Sequence, residues 1–119
     1  MVPALWKLSR KPSVNNMEGM EMICFSIISA CGTARSMYIE AIQEAKLGDI
    51  EAARTMIKEA QQVFVEGHHA HAELIMKEAN GEKTEIGLLL IHAEDQLMSA
   101  EAFGILSEEF VDMYERFGK

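Results

Sequence analysis

Three long stretches of this sequence place apolar residues at intervals of three and four, which is the spacing of one face of an α-helix. They run from about residue 18 to 46, from about 50 to 79 and from about 85 to 117. No stretch alternates for long with the period of two that is typical of a β-strand. The sequence therefore predicts an all-α protein.

The connections between the predicted helices are short and carry their own signals. Gly48 suits a left-handed helix end, and Asp49 suits the N-cap of the second helix. Asn80 and Gly81 end that helix, and Thr84 is expected to cap the third. Because short connections make neighbouring helices antiparallel, the predicted fold is an antiparallel three-helix up-down-up bundle.

The first sixteen residues differ from the remainder. They contain Lys7, Arg10 and Lys11 but no acidic residue, and no apolar segment of the signal-peptide type. We predict a flexible N-terminal extension over residues 1–16 and a three-helix domain over residues 17–119.

Charge and cysteine content restrict the partners and the compartment. The net charge is −8, and residues 17–119 hold eight bases against nineteen acids, a formal charge of −11. Nucleic acid is excluded as a partner, because phosphate contacts require clustered basic residues. No uninterrupted run of 18 apolar residues is present, so membrane insertion is not expected. Cys24 and Cys31 lie two helical turns apart in an apolar pattern, which indicates buried thiols in a reducing cytoplasm.

The third predicted helix begins with an unusual apolar run. Ile86, Leu88, Leu89, Leu90 and Ile91 fill five of six consecutive positions, and in a helix they would cover its whole circumference. Two neighbouring helices cannot bury every side of a third. The run predicts self-association, most simply as a closed ring of three or four copies, whereas a leucine-rich, partly exposed face is the alternative.

The segment IHAEDQLM follows that run and places polar residues on one helical stripe. His92, Asp95 and Gln96 share a face within what we expect to be the most buried segment, while Glu94 is expected to face solvent. One interpretation is a core histidine with satisfied hydrogen bonds. The other is a reactive or metal-binding pair. If the stripe faced a symmetry axis, copies of Asp95 would repel unless they were protonated or bridged by a hard cation such as magnesium.

Three more histidines, His68, His69 and His71, occur in EGHHAHAEL. Their spacing allows a metal-binding bundle as one hypothesis and a purely structural, polar role as another. Only one E-x-x-H pair is present, whereas a di-iron bundle uses two together with further glutamates.

Two long segments carry a resemblance to a known family: FSIISACGTARSMYIEAIQEAKLGDIEAA and EGHHAHAELIMKEANGEKTEIGLLLIHAEDQLM. From about Met20 to Tyr114 the chain resembles the lactose/cellobiose-type IIA component of the bacterial sugar phosphotransferase system. The resemblance implies a homotrimer of three-helix subunits, a phosphorylatable histidine, and a Mg²⁺ ion shared by one aspartate from each subunit.

Matched by position, His92 takes the place of the phosphohistidine and Asp95 that of the metal ligand. The resemblance implies a cytoplasmic phosphotransferase component that accepts a phosphoryl group from HPr and passes it to a cysteine of a IIB component. The membrane IIC permease then takes up and phosphorylates a disaccharide such as cellobiose, chitobiose or lactose.

The chain departs from the family pattern at one position. Many members have HAQDHLM, whereas this chain has Glu94 and Gln96, so the second histidine is missing. The Gln96 amide can still donate a hydrogen bond to a phosphoryl oxygen. His68 matches a position that is often histidine and is expected to have a supporting role. The departure leaves open a non-enzymatic helical interaction or regulatory module of the same fold.

Overall fold

The fold is an antiparallel three-helix bundle, as the sequence predicts. The computed structural model describes the backbone of residues 2–118 and the side chains of residues 19–118. These residues form no β-strand, and their helices are α1 (Val2–Lys46), α2 (Ile50–Ala79) and α3 (Leu88–Phe117). The predicted flexible extension, residues 1–16, lies outside the described side chains.

The turn between α1 and α2 confirms the local prediction. Gly48 has a φ of 93°, in the left-handed region that glycine enters without a Cβ clash. The Asp49 side chain accepts a hydrogen bond from the Ala52 backbone N–H at 3.0 Å, which caps α2. Gly81, with a φ of 86°, likewise follows the end of α2. Short sequence signals therefore fix both ends of this helix.

The start of α3 differs from the prediction. Gly87, rather than Thr84, is the N-cap, and it has an extended backbone and no side-chain cap bond. Ile86 precedes the helix and is 75% exposed. Leu89 and Leu90 are the first apolar residues of α3 that pack on the buried core. Because packing stabilises a helix more than its intrinsic propensity does, α3 begins next to these contacts rather than at the capping signal.

The core is built from small side chains on the facing sides of the helices. Cys24 and Cys31 are free and fully buried, which confirms their predicted position. Two glycines allow close approach: a Cβ at Gly67 would lie 2.8 Å from Cys31 Sγ, and a Cβ at Gly104 would lie 2.8 Å from Tyr38 Cζ. The buried residues form two clusters, one around Ala34, Tyr38, Ala41, Ala45, Ala53, Ile57, Ala60 and Val111, the other around Cys24, Ile27, Cys31, Leu74, Ala93, Leu97 and Ala100.

One stretch of α1 is long and apolar enough to match the general properties of a membrane-spanning helix. It covers Gly19–Lys46 with a mean hydropathy of 1.3 in its most apolar window. The same stretch contributes buried residues to both clusters of the core, such as Cys24 and Tyr38. Part of its hydropathy therefore serves the packing against α2 and α3.

Two buried thiols and a buried phenol predict that the fold loses stability in alkaline solution. Burial raises the pKa of the Cys24 thiol above its usual 9.0, and the Glu94 carboxylate adds to this effect. Burial also raises the pKa of Cys31, against a lowering effect of Arg35. The pKa of Tyr38 lies above its usual 10.0, again mainly through burial. On raising the pH, the unfolded chain therefore loses these protons before the folded chain does.

It follows that the stability these groups contribute is complete below about pH 9 and declines as the pH rises above it. We expect the free energy of unfolding, measured by urea titration, to be nearly constant from about pH 7 to 8.5 and to fall between about pH 9 and 11. In the variant Cys31→Ala the decline should be shallower. An unfolding free energy that does not fall by about pH 10.5 would contradict the prediction.

Candidate functional site

His92 lies on the side of α3 that faces away from the bundle. The buried residues of α3 include Ala93, Leu97 and Ala100, whereas His92 and Asp95 are both exposed. They are therefore not buried within a single chain, and the expectation that they lie in the most buried segment depends on the predicted self-association. Their exposure depends on which side of α3 packs on α1 and α2.

From Leu88 to Ile105, the outermost face of α3 is apolar except for one carboxylate. Leu88 and Ile91 are 83% and 54% exposed, and Met98 and Ile105 are also exposed. With Asp95 they lie at intervals of three, four, three and seven residues, which are positions of the heptad pattern of a coiled-coil seam. The predicted all-round apolar run is thus divided, because Leu89 and Leu90 face the core while Leu88 and Ile91 remain uncovered in one chain.

A polar cluster joins α1 to the stripe that carries His92. Arg35 Nη1 donates to Gln96 Oε1 at 2.6 Å and to Ser99 Oγ at 3.4 Å. Gln96 and Ser99 follow His92 by one and two turns, within about 40° of it around the helix. The three residues are half-buried, whereas His92 is exposed. His92 therefore borders a set of anchored polar side chains.

The other side of α3 carries a second polar contact. Glu94 Oε1 lies 2.5 Å from His71 Nε2 on α2, and the Glu94 side chain is 42% exposed. The expectation that Glu94 simply faces solvent is therefore wrong. Glu94 lies about 160° around the helix from His92, so α2 borders α3 away from the His92 stripe.

The remaining histidines lie on α2. His68 is exposed, and its ring centroid lies 6.3 Å from that of Phe64. His69 lines a groove between α1 and α2 together with Glu66 and Glu73. Because α2 borders the Glu94 side of α3, a supporting role of His68 at His92 requires a second copy of the chain, and that role stays a prediction.

Among residues 19–118, no three histidine, cysteine or acidic side chains converge in a group that could hold a metal ion. The hypothesis of a metal site on His68, His69 and His71 therefore has no supporting geometry in a single chain. Asp95 supplies one carboxylate, so any cation held there would need ligands from further copies.

Arg35 is a site contact that the sequence pattern does not reveal. It lies 61 positions before Gln96, and only the packing of α1 beside α3 brings the two together. No local spacing distinguishes it from the other basic residues of the helices. The only hint in the sequence is that a charged residue occurs within the apolar pattern of α1.

The chain is thus a three-helix bundle with an exposed histidine and an exposed aspartate on one helix face. The family model described as "PTS system, Lactose/Cellobiose specific IIA subunit" matches residues 22–115. The chain belongs to this family, which confirms the resemblance seen in the sequence.

Individual relatives agree with the family assignment. The lichenan-specific phosphotransferase enzyme IIA component of Bacillus subtilis (strain 168) is 44% identical over 99 residues, 83% of this chain and 90% of that protein. The crystal structure of the cellobiose-specific enzyme IIA from Bacillus anthracis has a TM-score of 0.78 and 45% identity, covering 80% of this chain and 87% of the other. IIA(Chitobiose) of Escherichia coli, in a solution structure with HPr, has a TM-score of 0.72 and 29% identity, covering 83% and 96%.

Proposed function

We propose that the chain is a cytoplasmic phosphocarrier that accepts a phosphoryl group on His92 and passes it to a cysteine of a IIB component. The observation that carries the proposal is the exposure of His92 on the family motif, beside the half-buried donors of Gln96 and Ser99. HPr is the proposed donor, because a structurally similar IIA protein forms a complex with HPr. The IIC permease would be an indirect partner.

The first transfer requires only a nucleophile, alignment and donors for the phosphoryl oxygens. The lone pair of one ring nitrogen of neutral His92 forms the new N–P bond. The N–P bond of the donor phosphohistidine breaks, and its electron pair returns to the donor imidazole. The other ring nitrogen of His92 keeps its proton, so the phosphorylated ring is a cation.

The second transfer uses that retained proton. A cysteine thiolate of the acceptor attacks phosphorus, the P–S bond forms and the N–P bond breaks. His92 then leaves as a neutral imidazole, which is a better leaving group than an imidazolate. The phosphoryl group adds a charge of about −2 while it resides on His92, so hydrogen-bond donors at this position favour the intermediate.

The sugar substrate is proposed by class alone. Relatives named for cellobiose and chitobiose, and the lactose/cellobiose family description, favour a disaccharide such as cellobiose, chitobiose or lactose. Because the chain would carry only the phosphoryl group, sugar choice would reside in the membrane partner.

Labelling from phosphoenolpyruvate tests the phosphocarrier. The chain would be incubated with [³²P]phosphoenolpyruvate, the first enzyme of the system and HPr. The expected product is one acid-labile, alkali-stable phosphate per chain, which is typical of phosphohistidine. The absence of label on a folded chain would instead favour the non-enzymatic interaction or regulatory module.

A homotrimer is proposed from the uncovered apolar seam of α3. Leu88, Ile91, Met98 and Ile105 remain exposed at coiled-coil spacing, and burying them between copies of α3 would remove apolar surface from water. The family resemblance favours three copies. In such a trimer the Asp95 side chains meet within the seam, and their like charges would oppose association.

A Mg²⁺ ion shared by Asp95 from three subunits is therefore part of the proposal. Carboxylate oxygens suit this hard cation, and when bound it would offset the converging negative charges. We expect Asp95→Asn to weaken Mg²⁺ binding by at least about tenfold, because an amide oxygen carries no full charge. Titration calorimetry of the assembled protein would measure this. Unchanged Mg²⁺ affinity, or no binding to the parent chain, would remove Asp95 from the role.

A further inference from the structure

The Arg35 guanidinium, anchored on α1, contacts the helix stripe that carries His92. Its Nη1 lies 2.6 Å from Gln96 Oε1 and 3.4 Å from Ser99 Oγ, so the bond to Gln96 is the stronger of the two. Both Arg35 and Gln96 are half-buried. The contact thus joins two helices at the inner edge of the His92 stripe, where water competes less than at an exposed ion pair.

This contact sets the orientation of the Gln96 amide. An amide has one accepting oxygen and one NH₂ group that only donates, and a guanidinium has no acceptor. The oxygen must therefore face Arg35, because the flipped amide would place two donors against each other. The NH₂ group is left on the side away from Arg35, on the same helix stripe as the exposed His92.

We propose that Arg35 is a positioning residue for phosphoryl transfer at His92. It holds Gln96 by its oxygen, so that the amide N–H groups face the phosphoryl oxygens on the His92 ring. The inference deepens the proposed phosphocarrier function and rests on it. It also assigns a role to Gln96, the residue at which the chain departs from the HAQDHLM pattern.

The same geometry would accommodate a histidine at position 96. A neutral imidazole also offers one accepting nitrogen and one N–H donor. With the accepting nitrogen held by Arg35, the N–H would be left for the phosphoryl group, as in the amide. Glutamine and histidine at position 96 are therefore equivalent in hydrogen bonding, whereas glutamate is not.

The acidic surroundings make such donors important. Asp95 follows His92 by three positions, and the net charge of the chain is −8. A second arginine that joins helices, Arg54, contacts Asp112 and Glu115. Those residues lie about 30 Å further along α3 than His92, at about 1.5 Å per residue. Arg54 thus provides a matched control, an interhelical arginine remote from the site.

The first experiment compares Arg35→Met with Arg54→Met. Single-turnover transfer from phosphorylated HPr would be measured by rapid quench, and unfolding would be followed on the same samples. We expect Arg35→Met to slow transfer by about 10- to 100-fold, the effect of losing one well-placed hydrogen bond. Arg35→Lys, which can still donate to the amide oxygen, should be intermediate. Arg54→Met should transfer at the parent rate.

The second experiment separates anchoring from donation at position 96. Gln96→Glu keeps an acceptor for Arg35 but has no N–H, so it should remain folded and transfer at least as slowly as Arg35→Met. Gln96→His should transfer within about tenfold of the parent chain, since it keeps one acceptor and one donor. The single variants Arg35→Met and Gln96→Leu would also be combined. If Arg35 acts through Gln96, the double variant should transfer as fast as the slower of the two single variants.

Three outcomes would overturn the inference. A folded Arg35→Met variant could transfer at the parent rate, or Gln96→Glu could do so. In the third, the rate loss of the double variant would equal the product of the two single rate losses. The failure of the phosphocarrier itself has a different signature. In that case the parent chain takes up no label, or the label persists after His92→Ala. Arg35 can therefore be rejected while the phosphocarrier stands.

Discussion

Replacing His92 with alanine is expected to abolish phosphoryl uptake from HPr while leaving the fold intact. The imidazole is the proposed nucleophile, and no neighbouring side chain on the stripe can replace it: Gln96 is an amide and Ser99 lacks a general base among its described contacts. The measurement is incorporation of acid-labile phosphate from phosphoenolpyruvate. We expect a loss of at least about 1,000-fold, the range observed when an essential nucleophile is removed.

The fold should tolerate this change because His92 is exposed and forms no contact with the core clusters. His69→Ala is the matched control, since His69 is also an exposed histidine in the middle of a helix, but it lies on α2. The control should label like the parent chain. Label that persists in His92→Ala, or disappears in His69→Ala, would show that the phosphorylated residue lies elsewhere.

Replacing Gly104 with valine is expected to destabilise the bundle by more than about 3 kcal/mol. A Cβ at this position would lie 2.8 Å from Tyr38 Cζ and 3.0 Å from Tyr38 Cε2 and Oη. Tyr38 is 3% exposed and packed in the core, so its ring has little room to move. Gly104→Ala should have a smaller effect, because the better helix propensity of alanine offsets about 1 kcal/mol of the clash.

Urea unfolding of the two variants, with Gly32→Ala as control, would measure the effect. A Cβ at Gly32 meets nothing within 4 Å, so alanine there should stabilise α1 by about 0.5–1 kcal/mol. Adding Tyr38→Leu to Gly104→Ala should recover part of the loss if the ring is the obstacle. Equal stability of Gly104→Val and the parent chain would contradict the close packing of α1 and α3.

The limits of α2 illustrate what local signals can predict. Asp49 and the Gly81 turn depend on neighbours within four residues, and both behave as expected. The start of α3 depends on more. Thr84 is a sound capping residue, yet Leu89 and Leu90 decide where the helix packs, and their partners lie on other helices. A capping preference of about 1 kcal/mol is readily overruled by such contacts.

In the candidate site, too, some features follow from local sequence and others depend on helix packing. The stripe of His92, Asp95 and Gln96 follows from helical periodicity, and the family motif indicates its chemistry. The pairing of Glu94 with His71 joins residues 23 positions apart, and that of Arg35 with Gln96 joins residues 61 apart. The spacing of residues in the sequence predicts neither pairing, because each depends on which helices are neighbours and on how each helix is rotated about its axis.

The sequence by itself determined that this chain forms three helices with a histidine and an aspartate on one stripe, because hydrogen bonding and side-chain period within a helix are local properties. Tertiary structure decided which side of α3 faces the bundle. That side is chosen by burial of small residues such as Ala93 and Ala100, and it leaves His92 exposed. It also brings Arg35 to Gln96, since only helix packing can set the distance between residues so far apart in the chain.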